Sequence, residues 1–170
     1  MIVEKTELDG VLLIKPDIYE DFRGCYVETY NEKAYKENGI DVDFVQDDIS
    51  VSTKFVLRGL HGDAETHKLI SCHYGRFYFV VANCDERSPN FGQWQSFLLS
   101  AENRYQVLVP PKYGNGHLVL SDQAVFHYKQ TTYYNPIGQF TYKWDDPRLG
   151  IWWPINNPIL SQRDMEGKYV

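Results

Sequence analysis

The run from Lys54 to Lys68 sets Arg58, His61 and Lys68 at the end of one hydrophobic stretch and the start of the next. A base and two cations on one rim suit chemistry that takes a proton from beside a carbonyl and holds the negative charge that results. About sixty residues on, Phe126-His127-Tyr128-Lys129 offers a phenol on a second strand-like run, a candidate for the matching acid. A free imidazole titrates near pH ~6.5 and a free phenol near ~10, so at neutral pH the first can accept a proton and the second can donate one.

Short runs must carry these groups. Val11–Ile14 stops before Pro16, and Cys25–Tyr30 follows the turn at Arg23-Gly24. Phe44–Asp47, Phe55–Arg58, Lys68–Tyr74, Arg76–Asn83, Trp94–Ser100, Tyr105–Pro110, His117–Ser121 and Ala124–Tyr134 read as further strands between turn residues. One helix is expected over Asn31–Asn38, with Asn31 as its cap, Glu32 in its first turn and Gly39 beyond it. The tail from Trp144 to Val170, rich in Pro, Asn and Trp, reads as irregular structure with a short last helix after Ser161. Many short strands with one peripheral helix predict an all-β antiparallel sandwich or barrel. No linker or repeat interrupts it, so residues 1–170 read as one domain.

Composition limits the partners. Aromatic residues make up 15% of the chain, thirteen tyrosines and nine phenylalanines among them, which favours strands. A net charge of −6 argues against a nucleic-acid groove but allows a local basic pocket for an anionic small ligand. The apolar run Phe77–Ala82 is too short to cross a membrane, and Met1–Thr6 shows no export pattern. Cys25, Cys72 and Cys84 form no Cys-x-x-Cys pair, so free thiols in a cytoplasmic protein are expected.

Several strings are similar to those of the nucleotide-sugar 3,5-epimerases, in order along nearly the whole chain. They are Asp21-Phe22-Arg23-Gly24, Phe44-Val45-Gln46-Asp47, Val56-Leu57-Arg58-Gly59-Leu60-His61, Ser88–Trp94, Leu99–Asn103, Trp144-Asp145-Asp146 and Leu149-Gly150-Ile151. The resemblance implies a cupin-type jelly roll (a double-stranded β-helix) and a homodimer whose N-terminal strands complete the partner's sheet. It implies a cofactor-independent, metal-free isomerase that inverts C3, C5 or both on a nucleotide-diphosphate 4-keto sugar through an enolate, in bacterial surface polysaccharide synthesis. By position it makes His61 the base, Asp164 the carboxylate that orients it, Lys68 the cation on the enolate oxygen and Tyr128 the acid on the opposite face. Arg23, Glu28, Gln46 and Arg58 match positions used on the nucleotide and its diphosphate, with Arg23 reaching across the dimer. Asp48, Asn115 and Tyr133 complete the expected substrate-binding set.

The sequence also departs from that pattern. Cys25 stands for a phenylalanine, Asp48 for an asparagine and Ile49 for a histidine, all on the expected nucleoside side. A carboxylate can accept hydrogen bonds from a guanine edge, so a GDP-linked sugar is expected ahead of a dTDP-linked one. Asn115, Phe79 and the short Gly62-Asp63-Ala64 loop should reshape the sugar half of the site, which suggests a longer sugar such as a 4-keto-heptose. The alternatives are a dTDP-4-keto-6-deoxyhexose 3,5-epimerase or a 3,4-ketoisomerase. More distant rivals are a metal-dependent cupin using His61, His67, His73 and His117, and a non-catalytic sugar-binding module.

Overall fold

The structure, a computed structural model, describes residues 1–170. In chain order the strands are β1 (Ile2–Lys5), β2 (Leu12–Lys15), β3 (Ile18–Asp21), β4 (Gly24–Val27), β5 (Gln46–Thr53), β6 (Leu57–Gly62) and β7 (Lys68–Tyr74). They continue with β8 (Arg76–Asn83), β9 (Trp94–Ser100), β10 (Gln106–Val109), β11 (Tyr113–Val119), β12 (Gln123–Gln130) and β13 (Phe140–Thr141). Helix α1 (Glu32–Glu37) follows β4, and α2 (Gln162–Met165) closes the chain. One sheet runs β1-β2-β10-β7-β12-β5 and the other β13-β6-β11-β8-β9, while β3 and β4 form a separate hairpin. Every strand pair is antiparallel. The result is the cupin-type jelly roll.

Alternation explains which face each strand buries. On β8, Phe77, Phe79 and Val81 point between the sheets and pack with Ile70, Phe97, Leu99, Val107 and Phe126. Val80 and Ala82 point the other way, where Leu149 and Trp153 of the tail cover them. A strand buried on both faces needs an unbroken hydrophobic run, which is why Phe77–Ala82 carries no charged residue and only the partly buried Tyr78 bears a polar group. Each such side chain contributes about 1.5–3 kcal/mol by leaving water. Helix α1 covers the back of the six-stranded sheet, with Tyr35 packed among Ile14, Leu69 and Leu108. Asn31 caps it by accepting from the Ala34 amide at 3.2 Å.

The tail has little regular structure yet is pinned in place. Ile159 exchanges backbone hydrogen bonds with β6 and its lead-in: the Leu57 amide donates to Ile159 at 3.0 Å, and the Ile159 amide donates to Phe55 at 2.8 Å. Buried Asp146 accepts from the amides of Val170 at 2.7 Å and Arg148 at 2.8 Å. These bonds fix where α2 sits against β6.

Several expected boundaries differ. β1 and β3 are strands that short, charged sequences do not announce. β5 covers Gln46–Thr53 rather than Phe44–Asp47, because its inward row, Gln46, Asp48, Ser50 and Ser52, is polar and breaks the apolar pattern. β11 begins at Tyr113 rather than His117. Its glycines admit a close neighbour: a Cβ on Gly59 would lie 2.5 Å from the Gly116 Cα. β12 ends at Gln130, short of Tyr134. Phe79, expected to face the pocket, is fully buried between the sheets instead.

Candidate active site

At one end of the sandwich a cavity of about 440 Å³ opens between the sheets. β5 supplies Gln46, Asp48 and Ser50 to its wall, β6 supplies Arg58 and His61, and β7 supplies Lys68. β11 adds Asn115 and His117, and β12 adds Phe126, Tyr128 and Gln130 on its inward row. The inward polar row of β5 and the polar ends of β11 and β12 thus face this space rather than core.

His61 occupies the penultimate position of β6. Gly59 precedes it at φ +130°, in a space where a side chain would strike β11. The Asn115 side-chain amide donates to the His61 carbonyl at 2.9 Å and fixes the backbone from the next strand. Behind the ring, His61 Nε2 lies 2.7 Å from Asp164 Oδ1. Asp164 is 2% exposed. It accepts from the Gly59 amide at 3.1 Å and from the Ser161 hydroxyl at 2.6 Å, and Ser161 also caps α2. Burial alone would raise the Asp164 carboxyl; the bonds from His61 and Ser161 outweigh it and hold the group below the usual carboxylate range.

Lys68 starts β7 with its ammonium 3.8 Å from Asp63. Burial pulls the Lys68 ammonium below its ordinary value, and Asp63 opposes that. Asp63 in turn accepts from the amides of Glu65 at 3.0 Å and Thr66 at 2.7 Å and from Gln139 at 3.1 Å. The short Gly62-Asp63-Ala64 loop is therefore a polar buttress for Lys68. Tyr128, opposite Asp48 in register, has its phenol pushed up to about 12 by burial first and by Asp48 second. It stays protonated at neutral pH.

Arg58, Lys68 and Arg163 line the cavity of an acidic chain, so its local field is basic. Arg58 is steadied by donating to the Ser52 hydroxyl at 3.0 Å, and Arg163 by donating to Thr141 at 2.9 Å. Asp48 accepts from Gln46 at 2.7 Å. The arrangement combines a carboxylate-oriented imidazole, a buried ammonium, a protonated phenol and guanidinium groups for an anion.

Of the expected residues, Gln46, Asp48, Arg58, His61, Lys68, Asn115 and Tyr128 meet in this cavity, and Asp164 stands behind His61. Three do not. Tyr133 is 75% exposed and points away; because β12 ends at Gln130, its alternation does not extend that far, and Tyr134 lines the cavity instead. The Tyr134 amide donates to Gln46 at 2.9 Å. Arg23 lies at the β3–β4 turn, paired with Asp21, and Glu28 lines a different groove beside Tyr19, Tyr26 and Tyr35. Cys25 is on the exposed β4. The four histidines considered as a metal set do not converge: His61 and His117 reach the cavity, while His73 stacks on His127 at 4.2 Å between ring centroids.

Sequence reasoning did not pick out Ser50, Tyr134, Gln139, Arg163 and Gln130 as lining residues, and offered His117 only as a candidate metal ligand. For Gln130 and Ser50 the signal was present, since they continue the inward rows of Tyr128 and Asp48.

Comparison with known proteins follows the same lines. The family model for dTDP-4-dehydrorhamnose 3,5-epimerase matches residues 5–170. A dTDP-4-dehydrorhamnose 3,5-epimerase of Shigella flexneri is 41% identical over 172 residues, covering 99% of this chain and 95% of that protein. The crystal structure of dTDP-6-deoxy-D-glucose-3,5-epimerase from Legionella pneumophila, in complex with dTDP-4-keto-L-rhamnose, superposes with a TM-score of 0.94 at 40% identity, over 99% of this chain and 92% of that one. A dTDP-4-dehydrorhamnose 3,5-epimerase structure from Bacillus anthracis, with TDP and PPi bound, gives 0.96 at 34% identity over 99% of both chains.

Proposed function

The chain belongs to the dTDP-4-dehydrorhamnose 3,5-epimerase family, and from that premise we propose that it inverts C3 and C5 of a dTDP-linked 4-keto-6-deoxy sugar through an enolate. It is an isomerase of nucleotide-linked 4-keto sugars. The GDP link expected from Cys25, Asp48 and Ile49 gives way to dTDP: the relatives carry dTDP in their names, Asp48 is engaged by Gln46, and Cys25 does not line the cavity.

The observation that carries the reading is the His61–Asp164 pair at 2.7 Å, on the wall of a cavity that Lys68 and Tyr128 also line. The C4 ketone acidifies the hydrogens at C3 and C5. His61 takes one of them, and buried Asp164 stabilises the imidazolium that forms. Lys68 holds the enolate oxygen, and because its side chain is 11% exposed its charge is little screened there. Tyr128 returns a proton from the opposite face; the imidazolium then gives its proton to solvent and the tyrosinate takes one back before the second carbon reacts. The ketone is the electron sink, so no cofactor is required for the proton transfers.

We further propose that residues 1–170 act as one epimerase domain, cytoplasmic, and assembled as a homodimer. What supports the dimer is the β3–β4 hairpin, which pairs with no other strand and exposes Tyr19, Tyr26 and a 98% exposed Phe22. Docked on a partner, it would carry Arg23 toward the partner's cavity and release it from Asp21.

Incubation with dTDP-4-keto-6-deoxyglucose in deuterated water tests the reaction. Deuterium at both C3 and C5, with the L-sugar as product, is expected. Absence of exchange with this substrate, alongside exchange with a GDP-linked 4-keto sugar, would return the assignment to GDP.

A further inference from the structure

Two buried side chains on the cavity wall have no hydrogen-bond partner for a polar atom: His117 Nε2 and Gln130 Nε2. His117 is 4% exposed and Gln130 3%. Buried polar groups are nearly always paired, so two orphans on one wall need an explanation. We infer that they form a hydroxyl-recognition subsite, in which His117 and Gln130 hydrogen-bond hydroxyls of the substrate's sugar ring and hold it for proton abstraction. The inference rests on the epimerase reading and adds residues to it.

Position supports it. His117 follows Asn115 by two on β11, but the Asn115 amide is spent on the His61 carbonyl while His117 makes no side-chain hydrogen bond. Its ring is clamped, stacked on Phe126 at 4.2 Å and 11° and packed against Phe77. A ring held this firmly presents its nitrogens in one direction. Gln130 follows Tyr128 by two on the inward row of β12 and stands opposite Lys68 in register. It therefore neighbours both the proposed acid, two positions back on its own strand, and the proposed enolate cation across the ladder.

The chemistry of the pair selects the ligand group. Burial, with Arg58 and His61 nearby, pulls the His117 imidazole down to about 3, so it is neutral and offers one donor and one acceptor. The Gln130 carboxamide also offers both and carries no charge. A hydroxyl, itself donor and acceptor, matches each; a phosphate is better served by Arg58 and Arg163 on the same wall. A site that leaves such groups unpaired discriminates strongly against a ligand lacking the hydroxyl.

The test compares dTDP-glucose, which has ring hydroxyls but no ketone and so does not turn over, with dTDP alone, by calorimetry on the full chain. His117→Phe keeps the stack on Phe126, and Gln130→Met keeps the length of the side chain. Each variant should bind dTDP-glucose roughly five- to tenfold more weakly while its dTDP affinity changes by less than about twofold. Each should also melt at or above the wild-type temperature without ligand, because an orphan buried nitrogen has been removed. Unchanged dTDP-glucose affinity in both variants, an equal loss for dTDP, or a wild type that gains nothing from the glucose would overturn the subsite. If one variant fails to fold, the other decides. Normal deuterium exchange by wild type with unaltered sugar affinity in the variants would sink this inference alone; weakened sugar affinity in the variants of a wild type that exchanges nothing would sink the epimerase reading and leave the subsite standing.

Discussion

His61 and Asp164 meet at 2.7 Å although 103 residues separate them in the chain. The same Asp164 oxygen accepts the Gly59 amide at 3.1 Å, so the carboxylate holds both the ring and the backbone two residues before it. Asp164→Asn would keep the shape and lose the charge that stabilises the imidazolium. We expect kcat to fall by about 10²–10⁴, as general-base catalysis and its orienting carboxylate are typically worth, with dTDP affinity little changed. An Asp164→Asn protein of normal rate would remove the carboxylate from the mechanism.

Lys68 is the buried cation nearest in role to the enolate oxygen. Lys68→Met keeps most of the stem and removes the charge, while Asp63 retains its bonds from Glu65, Thr66 and Gln139. Because the lysine acts on charge that develops only in the transition state, kcat should drop on the order of 10²–10³ and KM should move far less. Steady-state kinetics read the split; a loss confined to KM would make Lys68 a binding residue.

These residues were legible in the sequence for different reasons. His61 sits in a string whose glycine is dictated by the approach of β11, so the motif is a record of packing as much as of chemistry. Asp164 was readable only through resemblance, since nothing local says that a short terminal helix will fold back under β6. The tail bonds through Ile159 that bring it there are backbone bonds, which carry no side-chain signature. β5 was misplaced because its inner face lines a cavity and is polar while its apolar residues, Ile49 and Val51, are exposed, so alternation of apolar-in and polar-out fails as a guide. Tyr134 was confused with Tyr133 for a related reason: the strand's end, which sets the facing, is a hydrogen-bonding fact rather than a pattern of residue types.

Acid should destabilise the protein in two stages. His117 is neutral when folded, with its imidazole down to about 3, against an unfolded value near 6.5. As pH falls below 6.5 the unfolded chain takes up a proton that the folded chain refuses, and stability declines by up to about 1.4 kcal/mol per pH unit. Asp164 is lowered when folded, so its contribution is present above its ordinary value of 3.8 and is lost below it. Melting temperatures of wild type and His117→Phe should run parallel above pH ~7 and diverge below ~6, with the variant the flatter curve. Parallel curves down to pH ~4 would mean that His117 takes up its proton in the folded state.

The exposed β3–β4 hairpin leads to a prediction about assembly. Phe22 is 98% exposed at its tip, and Arg23 beside it is paired only with Asp21 within the chain. Phe22→Glu would place a charge in the proposed interface and should convert a dimer to monomer in light scattering. Arg23→Ala should leave the dimer intact and weaken dTDP binding roughly tenfold, the worth of one charge-assisted contact to a diphosphate. A wild-type monomer in solution would overturn the shared site.

Tyr128 separates exchange from inversion. In the proposed scheme His61 removes the proton on one face and Tyr128 supplies the new one on the other. Tyr128→Phe keeps the ring, which tilts against Phe126 at 5.7 Å between centroids, and deletes only the hydroxyl. The base is still present, so the enolate still forms, and His61 can return a deuteron to the face it came from. The variant should therefore wash deuterium into the substrate while making little epimer, with inversion slowed by about 10²–10⁴ and exchange slowed much less. NMR of the recovered sugar distinguishes the two, since retained configuration with deuterium at C3 or C5 has a different coupling pattern from the inverted product. Equal loss of exchange and inversion would show that the phenol takes part in forming the enolate, and would move Tyr128 from acid to enolate stabiliser.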